Sequence, residues 1–318
     1  MDSRLFMKAP IKYRWQLTGT LNKELLLRDK WEHDNLKLEP CQIDNYAGIK
    51  ITFNHANHDE SRQRAREEAV AKIEDFLKTW SFNRGYRIKL TVEKLDLVNE
   101  DEVSIQRGYK TGASYILGNV RPVDQTDSDI LNEILQLNET IRKNPNKYSL
   151  EKCRDWYVGS LEHQDPSDKF LSIWIAFNIM YNLYNALIDR EHKDEYYDEK
   201  KAIGIQKLLH SESIMKQIIN LPELIKFLNQ YNISKTSKKE TIRYNVNLQK
   251  AYEGGNHKEA FENLLKCLYK IRCSLFHGVK ARDDERQKKL LTRCYGVLQL
   301  LVKEAFFAYI RLTERRRE

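Results

Sequence analysis

Residues 271–280 read IRCSLFHGVK, and within them Arg272 and His277 stand five positions apart with Gly278 next. The two side chains have complementary abilities. A guanidinium grips a phosphate through two parallel donors and stabilises the extra negative charge of a phosphoryl transition state. An imidazole, with an ordinary pKa near 6.5, moves protons at neutral pH. Aimed at RNA, the pair would need no enzyme nucleophile, because the 2′-OH lies one bond from the backbone that carries the phosphate. The spacing alone means little. RDKWEH (28–33) places Arg28 and His33 at the same interval, so the surroundings of Arg272 must decide.

On a helical wheel at roughly 100° per residue, Phe261, Leu264, Leu265, Leu268, Ile271 and Leu275 form one apolar stripe, and Arg272 falls inside it. A charge on such a face must be paired, must reach out to water, or must serve a function. Gly278 suits a helix C-cap, which leaves His277 in the final turn, where the helix dipole favours the protonated imidazole. An ideal helix points two side chains five residues apart in different directions. The pair converges on one phosphate only if the helix ends or bends here, or if a second copy of the chain completes the site.

The elements that position the pair follow from periodicity. Helical patterns dominate after residue 120: 130–143, 149–163 with Ser149 as N-cap, the very apolar 165–188, then 196–219, 221–231, 257–277 and 284–313. So apolar a helix as 165–188 belongs at the centre of a bundle. The polar stretch 233–256, with its Gly-Gly, reads as a long loop or insertion. The first part differs. YRWQLTGTL (13–21), YAGIKITFN (46–54) and YRIKLTVEKL (86–95) alternate apolar and polar residues as strands do, around a helix over 59–80. The expected fold class is an α+β N-terminal unit followed by an all-α helical bundle: 1–120 as an α+β domain, 121–148 as linker and helix, and 149–318 as the helical domain.

Composition bounds the function. The chain has 318 residues, 31% of them charged, and a net charge of +8, with a pI of about 9.0. That balance permits contact with a polyanion. No apolar run approaches the roughly 18–20 residues of a membrane span, and the N-terminus lacks the apolar core of a signal peptide, so a cytoplasmic protein is expected. Five cysteines, Cys41, Cys153, Cys267, Cys273 and Cys294, show no metal spacing and read as free thiols. HANHD (55–59) brings His55, His58 and Asp59 together in sequence, but as a turn before a helix with no further ligand. Neither metal nor cofactor is expected.

Two stretches carry a resemblance. CLYKIRCSLFHG (267–278) is similar to the "Y-x-x-R-N-x-L-x-H-G" helix, and SDKFLSIWIAFNIMYNLY (167–184) to the "F-L-x-x-W-x-A-x-x-x-L-Y" helix about a hundred residues earlier, in the HEPN superfamily of the ApeA-like kind. The resemblance covers roughly 149–313 and leaves 1–120 unassigned. It implies an all-helical domain of prokaryotic defence and toxin systems. The implied activity is metal-independent endoribonuclease cleavage, a hydrolase reaction leaving 2′,3′-cyclic phosphate and 5′-OH ends. Arg272 and His277 are its catalytic residues, in a composite R-x4-H site across a homodimer. RNA is the partner this implies, with Lys280 and Arg282 as candidate contacts to flanking phosphates and residues 1–120 as the place for a trigger or regulatory partner. This chain departs from the pattern at Cys273, commonly Asn, and at Asn178, often acidic. Those departures fit an alternative: an inactive HEPN protein that binds RNA or a nucleotide, or scaffolds a partner.

Overall fold

The computed structural model describes residues 11–21, 31–33, 36–43, 46–57, 62–88, 90–98, 104–105, 127–188, 198–218, 220–236, 241–276 and 284–316. These residues are mostly helical. The chain divides into two compact units, 1–139 and 140–318.

In the first unit, strands β1 (Ile11–Leu21), β2 (Trp31–His33), β3 (Leu36–Ile43), β4 (Tyr46–Asn57), β5 (Leu90–Val98) and β6 (Ser104–Ile105) pair in the order β2-β3-β4-β1-β5-β6. Each described pairing is antiparallel. Helix α1 (Arg62–Arg84) follows β4 and buries Ile73, Phe76, Trp80 and Phe82. It runs four residues beyond the expected end at Trp80. Gly85, at φ 75°, closes it by donating its N–H to the Ser81 carbonyl at 2.9 Å. The expected strand over 86–95 starts later, at Leu90. Upstream of it, the Ile88 N–H is bonded to Ser81 Oγ at 2.9 Å, so it fastens a turn and not a ladder. In β5 the apolar phase changes from Leu90 and Val92 to Leu95 and Leu97. The β1–β5 register shifts at the matching place, between Thr18 and Gly19, as a bulge requires. β4 extends through His55 to Asn57, so His55 belongs to a strand and not to the turn first read there. Helix α2 (Asp127–Lys143) opens in this unit, where Thr79 of α1 hydrogen-bonds Asn138, and the division between units falls within it.

The second unit holds α3 (Lys147–Ser160), α4 (Pro166–Ile188), α5 (Asp198–Gly204), α6 (Ser211–Gln217), α7 (Leu221–Leu228), α8 (Tyr244–Glu253), α9 (His257–Phe276) and α10 (Glu285–Arg315). A two-stranded hairpin, β7 (Ser234–Thr236) with β8 (Thr241–Arg243), stands among them. The arrangement is compatible with a helical-bundle domain. α4 buries Phe170, Ile173, Trp174, Phe177, Met180 and Tyr181 against neighbours that include α3 and α10. It is also the one described helix long and apolar enough to cross a membrane by length and composition, which corrects the reading that no segment approaches that length. Asp165 starts α4, its Oδ1 accepting the N–H groups of Ser167 at 2.8 Å and Asp168 at 3.3 Å, with Pro166 in the first helical position.

Three expectations for this unit need correction. α3 begins at Lys147, ahead of Ser149, because Asn144 folds the entry: its Oδ1 accepts the Asn146 N–H at 2.9 Å and its carbonyl accepts the Lys147 N–H at 3.0 Å. The single helix expected over 196–219 is broken into α5, a 3-10 turn at Ile205–Lys207, and α6. A continuous helix would point Ile205 and Ile214 about 180° apart. The break lets both bury, with Leu209 and Met215. The expected long loop over 233–256 contains the hairpin and α8. Tyr244, Leu248 and Ala251 supply a stripe only three residues long, enough to seat α8 but too short to stand out among polar neighbours. Glu199 fastens the hairpin, accepting from Lys235 Nζ at 2.9 Å and from Tyr244 Oη at 3.1 Å.

Candidate active site

α9 carries Arg272 in its last turn. The stripe read from sequence is its buried face: Phe261, Leu264, Leu265, Leu268, Ile271 and Leu275 are all in the core. Arg272 lies at the edge of that stripe and is half-buried, as are its neighbours Cys273 and Ser274. The Arg272 guanidinium carbon stands 5.9 Å from the centre of the Tyr269 ring, one turn earlier, and Nη1 lies 3.9 Å from Cys273 Sγ. The cation thus has an aromatic ring and a thiol of its own helix among its neighbours.

Tyr269 in turn is held by α4. The Trp174 indole meets its ring edge-on with centroids 6.0 Å apart. Trp174 itself is 1% exposed and lies in a row, stacked on Phe170 at 6.3 Å and edge-on to Phe177 at 5.5 Å. The row continues to Tyr181, 5.5 Å beyond Phe177. Thus the two stretches singled out in the sequence, far apart along the chain, touch ring to ring close to Arg272. Asn178 lies on the same helix, half-buried, and receives a hydrogen bond from the Asn182 amide on its carbonyl at 3.0 Å.

The described part of α9 ends at Phe276; His277, Lys280 and Arg282 lie outside the described residues, as do His58 and Asp59. His33, of the matching RDKWEH spacing, is in β2, in the first unit. Tyr269 was not read as functional from sequence. Its signal is its place three residues before Arg272, which puts it on the same helical face.

The thiols divide by environment. Burial pushes Cys294 up to about 12, raises Cys153 further, and lifts Cys267 well above the ordinary thiol range, Cys294 adding to the last. Cys273, by contrast with these three, has solvent access. Among the described residues no three His, Cys, Asp or Glu side chains gather as a metal site. Comparison with family models, with curated proteins and with solved structures finds no match for this chain.

Proposed function

We propose that the helical part of the chain, 149–318, is a HEPN-type domain that cleaves RNA without a metal, with Arg272 and His277 as its catalytic pair. The observation that carries this reading is the contact of Trp174 with Tyr269, which joins the two motif-bearing helices beside Arg272. In the reaction, the 2′-oxygen attacks the adjacent phosphorus. The 2′-O–P bond forms, the P–O5′ bond breaks, a base takes the 2′ proton and an acid delivers one to the departing 5′-oxygen. The products are a 2′,3′-cyclic phosphate and a 5′-OH. Arg272 holds the non-bridging oxygens, whose charge grows in the transition state, and His277 moves the protons. A homodimer joined through the helical domain brings two copies of the pair to one cleft, where one imidazole serves as base and the other as acid. Lys280 and Arg282 contact the flanking phosphates. The α+β unit over 1–120 senses a trigger or binds a regulatory partner, and the setting is cytoplasmic antiviral defence or a toxin.

The test is incubation of the purified protein with end-labelled RNA in EDTA. Cleavage with cyclic-phosphate ends is expected, His277→Ala should abolish it, and an all-deoxy strand should stay intact. Full activity in His277→Ala removes the catalytic assignment. Cys273, 3.9 Å from Arg272 Nη1, stands where the related pattern commonly has Asn. It favours the second reading, a non-catalytic RNA or nucleotide binder or a scaffold, which predicts RNA bound and left whole by the wild type.

A further inference from the structure

The outward face of α3 carries an unusual set of side chains. Tyr148 is 66% exposed and Trp156 42% exposed, the two aromatic rings among the large apolar side chains left open in the described residues. Eight residues apart on one helix, they lie on the same side, about 12 Å from each other along the axis. Lys152 sits midway, its ammonium 4.4 Å from the centre of the Tyr148 ring. Gly159 follows Trp156 by one turn, and a Cβ there would meet nothing within 4 Å, so an unobstructed shelf adjoins the indole. The inward face of the same helix is ordinary core: Leu150, Cys153, Tyr157 and Val158 are buried.

The strip is held rigidly. Asn146 Nδ2 donates to Tyr309 Oη at 2.7 Å and Asn144 Nδ2 to Thr313 Oγ1 at 2.9 Å, pinning the corner ahead of α3 to α10. It is also basic. Arg142, Lys143, Lys147 and Lys152 are exposed, against two half-buried carboxylates on α3, Glu151 and Asp155, the second of which is bonded to the buried Arg154 at 3.1 Å. Flat rings interleaved with lysines suit a polyanion with flat groups of its own. A protein partner fits less well, because lysine is depleted at protein–protein interfaces while aromatics are enriched.

We infer that this face of α3 binds single-stranded nucleic acid, Tyr148 and Trp156 stacking on bases and Lys147, Lys152 and the Arg142–Lys143 pair following the phosphates. It rests on the RNA reading above for the strand's identity: the strip is where substrate is held outside the cleavage site. Stacking and phosphate contact do not read the 2′-OH, so DNA and RNA strands should bind here alike, though only RNA is cut.

The experiment uses the full chain and a labelled all-deoxy oligonucleotide of about a dozen nucleotides, followed by fluorescence anisotropy across a salt series. The probe cannot be cleaved, so its binding is independent of Arg272 and His277. Tyr148→Ala and Trp156→Ala should each weaken binding about tenfold. Lys147→Ala and Lys152→Ala should each lower the slope of log affinity against log salt by about 0.7. All four positions are on the surface, and unchanged thermal unfolding should accompany each variant. Wild-type affinity in Tyr148→Ala/Trp156→Ala overturns the inference. So does a change in that double variant's sedimentation without a change in affinity, which makes the strip a self-association face. Loss of cleavage in His277→Ala with probe binding intact supports the strip, whereas RNA left whole by a wild type that still binds the probe fails only the nuclease reading.

Discussion

Trp174 meets Tyr269 edge-on, centroids 6.0 Å apart, and the same Tyr269 ring has the Arg272 guanidinium 5.9 Å from its centre. A fully buried indole on α4 thereby sets where a half-buried cation on α9 can stand. On the proposed nuclease reading, Tyr269 is a positioning residue. Tyr269→Phe keeps the ring and should keep cleavage near wild type. Tyr269→Ala frees Arg272 to explore other rotamers and should slow single-turnover cleavage at least about tenfold, with RNA affinity little changed. Equal rates for Ala and wild type would remove the ring from the site.

Trp174 has a second role, in stability. It is among the largest fully buried side chains, and its indole Nε1 is buried with no hydrogen-bond partner. Trp174→Ala should cost about 3–5 kcal/mol in urea unfolding, through lost transfer energy and the cavity left behind. Trp174→Phe should cost clearly less. It loses volume but also removes a buried donor whose desolvation is uncompensated. If Phe proved as damaging as Ala, the packing row from Phe170 to Tyr181 would be more exacting in shape than its distances suggest.

If Arg272 holds the scissile phosphate as proposed, the identity of the cation matters as well as its charge. Arg272→Lys retains the charge but loses the planar fork, so it should not restore cleavage. His33→Ala, at the matching spacing in β2, should leave activity unchanged and serves as the control for spacing alone. Sedimentation of Arg272→Ala separates loss of the proposed chemistry from loss of the proposed dimer, since the residue borders the apolar stripe.

The sequence made the long elements legible because their patterns are long. α4, α9 and α10 fall within two residues of their expected bounds, since each carries an apolar stripe over five turns or more. Short elements were illegible for the converse reason. α8 buries only three apolar residues in ten, and the break after Gly204 is set by burial of Ile205 and Ile214 together, a tertiary demand with no local signal. In the site, Arg272 could be found from its place on an apolar face. The ring beside it shares its helical face in the sequence, but it stands out only when α4 brings Trp174 against it.

Asp165 offers a test of local encoding. Burial works against its ionised form, yet the Ser167 and Asp168 backbone N–H groups and nearby Lys288 outweigh it and hold the carboxyl below its ordinary value. A carboxyl depressed in the fold stabilises it above the unfolded pKa of about 3.9 and loses that contribution as pH falls through the folded value. Asp165→Ala should cost about 0.5–2 kcal/mol at pH 7. Asp165→Asn, which keeps the cap oxygen, should cost less and should soften the acid-side loss of stability. The check is urea unfolding of the three proteins at pH 7 and near pH 3. A wild-type advantage over Asn that grew on acidification would contradict the sign.

The thiol beside the guanidinium gives an independent probe of the site. Cys153, Cys267 and Cys294 are buried and their thiols are pushed up, so little reactive thiolate forms at mild alkaline pH. Cys273 has solvent access and its Sγ lies 3.9 Å from Arg272 Nη1. In a Cys41→Ser background, a small alkylating reagent at about pH 8 should therefore modify Cys273 first, read by mass spectrometry of the folded protein. A carboxymethyl group there places a carboxylate against Arg272 and competes with phosphate for its donors. Cleavage should fall in step with labelling, RNA should protect the thiol, and Cys273→Ser should be active and insensitive. Complete labelling of Cys273 with cleavage unimpaired would show that Arg272 does not touch the scissile phosphate.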